Sequence, residues 1–126
     1  MAGPVDAAFF ARLTAADARF RAGLPATLAQ LAAARGELLP EAPTPALVAE
    51  LQSLLHTLAG AAVTFGFREL GHGARALEQR LRVLCAFDAV SADDWSAWLG
   101  TLDRFVAAGL QAPSPRYHHA AFSPLL

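Results

Sequence analysis

Apolar residues recur at three- and four-residue intervals along most of the chain, the spacing that gathers them on one side of a helix. A short apolar segment over about residues 5–13, anchored by Phe9, Phe10 and Leu13, comes first. Thr14, with Asp17 three residues on, reads as an N-cap that opens a second helix, whose buried side is Phe20, Leu24, Leu28 and Leu31. Pro25 falls inside this helix and should bend it, and Gly36 should end it. Pro40, Glu41, Ala42 and Pro43 make a loop, after which Thr44-Pro45 supplies an N-cap and a first-turn proline for the next helix. That helix should stop near Thr64-Phe65-Gly66. Its successor spans about Arg68 to Ala86 on a stripe of Leu70, Ala74, Leu77, Leu81 and Leu84, with Gly71 and Gly73 marking close approach of a neighbour. Ser91 and Asp94 start the last helix, with Trp95, Leu99, Leu102 and Val106 buried and Trp98 and Phe105 flanking. Pro113, Pro115 and Pro124 make the rest irregular. The expected fold is all-α, an antiparallel (up-down) four-helix bundle with a short extra N-terminal helix. The bundle occupies 1–110, and 111–126 is a proline-containing tail or linker.

The helix that opens at Pro45 holds the one feature that suggests chemistry. Leu47, Leu51, Leu54, Leu58, Ala61 and Phe65 fall in one stripe, and His56 points about 180° away from Leu47 and Phe65. Ala49, Gln52, Ser53, Ala59, Gly60 and Val63 share its face. The ring should therefore reach solvent, where it could act or could be a surface histidine with no task. On the following helix Glu78 lies at the border of the apolar stripe, within possible reach of that face. Arg68, Arg75 and Arg82 recur every seven residues on its exposed side, as a solvated row or as guidance for an acidic partner.

Composition narrows the choice of function. The 126 residues are 55% hydrophobic, rich in Ala and Leu and poor in β-branched side chains, which favours helices and one self-sufficient core. A formal charge of −1 offers no general attraction to nucleic acid or anionic lipid. The single cysteine, Cys85, excludes an internal disulfide and reads as a small core residue in a reducing compartment. No apolar run suggests a membrane span and no basic leader precedes Asp6, so the expectation is a soluble cytoplasmic monomer. There is no glycine-rich phosphate loop and no Ser-His-Asp or Cys-His set, so autonomous kinase or phosphatase activity is not expected. His118-His119 stands without other clustered ligands, and neither a metal nor a cofactor is expected.

The ordered set from His56-Thr57-Leu58-Ala59-Gly60-Ala61-Ala62 through Thr64-Phe65-Gly66-Phe67 to Leu70 and Ala74-Arg75-Ala76-Leu77-Glu78 resembles the signature of the histidine phosphotransfer (Hpt) domain. The resemblance implies a helical bundle in a two-component phosphorelay, with His56 as phosphoacceptor and Glu78 orienting its ring. The partners it implies are the receiver domain of a response regulator and an upstream or hybrid histidine kinase. Gly60, one turn beyond His56, would leave room for the phosphoryl group. Ala49, Gln52, Ser53, Ala59, Gly60, Val63 and Arg75 would form the ground on which a partner docks. Two positions depart from the family pattern. Ala59 stands where many members carry a lysine that helps hold the phosphoryl group, and Val63 where a smaller residue is common. A bundle that docks a receiver or kinase without accepting phosphate, or a helical dimerisation scaffold, therefore stays open beside the carrier.

Overall fold

The computed structural model describes residues 4–87 and 90–111, among which there are four α-helices and no strand. They are α1 (Pro4–Glu37), α2 (Pro45–Thr64), α3 (Arg68–Ala86) and α4 (Ala92–Gln111). Each packs on its neighbour in the chain, and α4 returns to α1. Leu24, Leu28 and Leu31 of α1 meet Leu51, Leu55 and Leu58 of α2, Leu77 and Leu81 of α3, and Leu99 and Leu102 of α4 in one core. Polar contacts also tie α4 to α1 and to α3. Arg35 of α1 holds Asp103 of α4 through two hydrogen bonds of 2.9 and 3.2 Å, and the buried indole of Trp98 donates to the carbonyl of Leu77 at 3.0 Å.

The N-terminal region corrects the expectation of a separate short helix. Thr14 caps nothing, because α1 runs unbroken through it from Pro4. Asp17 turns forward to Arg21 at 2.9 Å instead of back to Thr14, and the alanine-rich surroundings favour continued helix. Phe9, Phe10 and Leu13 are exposed, not anchors, with the two rings in edge-on contact at 5.8 Å. Pro25 sits inside the helix without ending it. It lies on the exposed side, where water can satisfy the carbonyl that loses its partner.

Three smaller corrections follow from packing. Trp98 is a core residue rather than a flank, and Cys85 is exposed rather than buried. By length and composition alone α2 is apolar enough to cross a membrane. Within the bundle its apolar side is covered: Leu51, Leu55, Leu58, Ala59 and Ala62 are buried against the other helices. The tail read as irregular, with His118-His119, lies outside the described residues.

Candidate functional site

Local signals in the sequence place α2 and α3 so that two side chains 22 residues apart meet. Thr44 caps α2 in extended conformation, its hydroxyl accepting from the Leu47 amide at 3.4 Å, with Pro45 in the first turn. At the other end Gly66 adopts φ 86°, a conformation open to glycine at little cost. This lets the Phe67 amide reach the Ala62 carbonyl at 2.8 Å and the Gly66 amide reach Val63 at 3.3 Å, a Schellman closure. Phe67 then buries itself against Phe20 of α1, ring centroids 5.1 Å apart, and pins the corner. Helix α3 starts at once and packs along α2.

How closely the two helices approach decides which face of α2 is hidden. A Cβ on Gly71 would lie 2.7 Å from Val63 Cγ2 and 3.3 Å from the Ala59 carbonyl oxygen, so only glycine lets the backbones come this near. The buried stripe is consequently turned by roughly 60° toward the small side chains: Leu51 and Leu58 are buried as expected, but Leu55, Ala59 and Ala62 join them in place of Leu47, Leu54, Ala61 and Phe65, which are only partly covered. Ala59, expected on the open docking face, is 2% exposed beneath α3. Gly73 plays the same part toward α4, where a Cβ would meet the Phe105 ring at 2.9 Å.

The turn of the stripe leaves His56 at the edge of the α2–α3 seam. Its side chain is 70% exposed, yet Nδ1 lies 2.9 Å from Oε2 of Glu78, whose side chain is 7% exposed. A guanidinium nitrogen of Arg82, one turn along α3, donates to the same oxygen at 2.8 Å. Burial pushes the Glu78 carboxyl up, but hydrogen bonds from Arg82 and His56 and the charges behind them outweigh it and hold the group below its usual range. Glu78 is thus an ionised acceptor at neutral pH. Since a carboxylate can only accept, Nδ1 carries the proton, and the lone pair of the neutral ring belongs to Nε2.

Around the ring is a shallow depression of about 310 Å³ lined by Gly60, Arg75, Glu78, Gln79 and Arg82, with Ala59 at its floor. Nothing lies within 4 Å of where a Gly60 Cβ would be, so the ground beside the ring is open. Among the expected docking residues, Gly60, Arg75 and the buried Ala59 share this depression with His56 and Glu78. Ala49 and Gln52 line a second, larger hollow of about 610 Å³ beside Val48, Phe87 and Trp95. Ser53 is exposed and Val63 is 47% exposed. The seven-residue spacing sets Arg82 in a charged row, while its position four residues after Glu78 is also the helical spacing for the ion pair it makes. Among the described residues no three His, Cys, Asp or Glu side chains gather as metal ligands.

The family model of the Hpt domain matches residues 18–111, which takes in most of α1 and all of α2, α3 and α4. The chain belongs to the Hpt domain family. Hpt domains are phosphocarriers of histidine phosphotransfer in phosphorelays, working with receiver domains and kinases. Comparison with curated proteins and with solved structures gave no match. The segment 4–17 of α1, including Phe9, Phe10 and Leu13, precedes the matched Hpt domain region.

Proposed function

We propose that this Hpt domain carries a phosphoryl group on His56 between the aspartate of a response-regulator receiver domain and a second relay partner. The observation that bears most weight is the 2.9 Å contact between Nδ1 and the buried Glu78 carboxylate beneath a ring that is otherwise open. The Nε2 lone pair attacks the phosphorus of the receiver's acyl phosphate, an N–P bond forms, the P–O bond to the aspartyl carbonyl breaks, and the aspartate leaves as carboxylate. Nδ1 keeps its proton throughout. The positive charge left on the ring is met by Glu78, so the histidine needs no general base. Loss to a second aspartate runs the same step backwards.

The bundle supports this reading in its layout. Short connections and a ring of neighbouring helices fit an up-down arrangement of α1 to α4. Exposed Ala49, Ser53, Gly60 and Val63, half-buried Gln52 and charged Arg75 supply the ground for a receiver or for an upstream or hybrid kinase. A cytoplasmic monomer meets these partners most directly. Ala59 in place of the family's lysine favours a second reading, a module that docks a receiver without accepting phosphate.

One experiment separates the two. Incubation with a panel of receiver domains charged by radiolabelled acetyl phosphate should label the protein in an acid-labile, base-stable form, and His56→Ala should abolish the label. Label retained in the variant removes His56 as acceptor. Binding of a receiver with no label on the wild-type chain selects the docking module.

A further inference from the structure

We infer that the exposed start of α1 is a self-association surface, on which a second copy of this chain docks by a two-fold, antiparallel pairing of the two α1 helices. Every residue from Asp6 to Ala15 is exposed, so about 15 Å of helix projects past the bundle. This stretch precedes residue 18, where the match to the Hpt domain begins. Phe9 comes eleven residues before Phe20 and Leu13 eleven before Leu24, three turns in each case. Both therefore point to the side of α1 that faces the core further along, and here that side overlooks the end of the bundle. At its foot lies a hollow of about 380 Å³ against the α2–α3 corner, with Leu13, Thr64, Phe65 and Gly66 among its walls. Arg21, also on its rim, is engaged by Asp17 at 2.9 Å and by the Phe67 ring 4.9 Å away. One chain thus carries both parts of a fit: projecting rings and, about two turns along the same side, a recess. When a second α1 runs antiparallel on this side, the rings of each copy fall toward the recess of the other, and the contact closes at two chains.

The area at stake suits a second copy. Phe9, Phe10 and Leu13 are 52%, 60% and 41% exposed, which leaves roughly 300 Å² of apolar surface on each chain. With the helix backbones and recesses included, the pair would cover about 1,000–1,200 Å², the lower limit for a specific interface. A reversible dimer of micromolar affinity or weaker is expected, and the monomer proposed above is its dilute form. His56 stands eight residues, about 12 Å, back along α2 from Thr64 at the corner, so both phosphoacceptor sites stay open in the dimer.

Sedimentation equilibrium of the full chain from about 1 µM to about 1 mM should show the mass rising from one chain toward two and no further. Phe9→Lys combined with Phe10→Lys keeps helix-forming residues at exposed positions, so thermal unfolding should be unchanged while association weakens about tenfold or more. Phe87→Lys, at a large exposed ring elsewhere, should leave association as it is. Photocrosslinking from p-benzoylphenylalanine at position 9, in a mixture of ¹⁵N-labelled and unlabelled chains, should join two chains near Leu13 and Phe65. A single-chain mass over the whole range overturns the inference, and growth beyond two chains overturns the two-fold pairing. Equal weakening in Phe87→Lys overturns it as well, since the contact would then be unspecific. Crosslinks that stay within one chain and end in residues 112–126 overturn it by giving the surface to the chain's own tail.

Discussion

Replacing Glu78 by alanine asks how much of the reactivity of His56 is set before any partner arrives. In the neutral ring one nitrogen carries the proton, and Nε2 is a nucleophile only when the proton is on Nδ1. The carboxylate enforces this through a 2.9 Å contact. A hydrogen bond to a charged group contributes about 1.5–3 kcal/mol net, and the 70% exposure of the ring brings the expected value to the low end or just under it, about 1 kcal/mol. With about 1.4 kcal/mol per factor of ten, Glu78→Ala should slow single-turnover transfer from a charged receiver roughly five- to tenfold. Glu78→Gln should fall between, because an amide can offer Nδ1 either its oxygen or its NH₂ group. The fold should survive both, since His56 and Arg82 are solvated and neither is left as a buried charge. Rapid-quench transfer measured beside thermal unfolding tests this directly. Wild-type transfer by a folded Glu78→Ala variant, or a loss that tracks unfolding alone, would refute the tautomer argument.

The same carboxylate predicts a pH dependence. A carboxyl held below its usual range in the fold contributes stability that is complete above the unfolded pKa and lost as pH falls through the folded one. The difference in urea unfolding free energy between wild type and Glu78→Gln should therefore hold steady down to about pH 5 and shrink below it; a difference that grows on acidification contradicts the assignment. Two glycines of adjoining helices should respond oppositely to alanine. Gly71→Ala forces a Cβ against Val63 and the α2 backbone and should cost about 1–2 kcal/mol net in thermal unfolding, while Gly60→Ala meets open space and should stabilise by about 1 kcal/mol yet slow transfer by taking room that a docking receiver needs. Trp98→Phe forfeits the 3.0 Å bond to the Leu77 carbonyl and should lower stability by about 1 kcal/mol in the same assay.

Features legible in the sequence were those carried by local chemistry. Thr44-Pro45 and the reciprocal Ser91–Asp94 pair, with Asp94 N donating to Ser91 Oγ at 3.1 Å and Ser91 N to Asp94 Oδ2 at 3.2 Å, start helices where the residues say they should. Thr14 and Asp17 present the same spacing and start nothing, because a cap forms only where the chain enters a helix, and here it is already inside one. Periodicity was less faithful on α2. Its largest residues define one stripe, but the stripe that is buried is set by how near α3 can come, and that is decided by Ala59, Ala62 and Gly71, which carry almost no hydrophobic weight. Small side chains thus outvote large ones through distance. The consequence reaches the chemistry: the rotation that hides Ala59 leaves His56 at the seam rather than at the far side of the helix. From the far side its Nδ1 could not meet a carboxylate on α3. An open ring and a buried orienting group are compatible only at such an edge, and Gly71 is what puts it there.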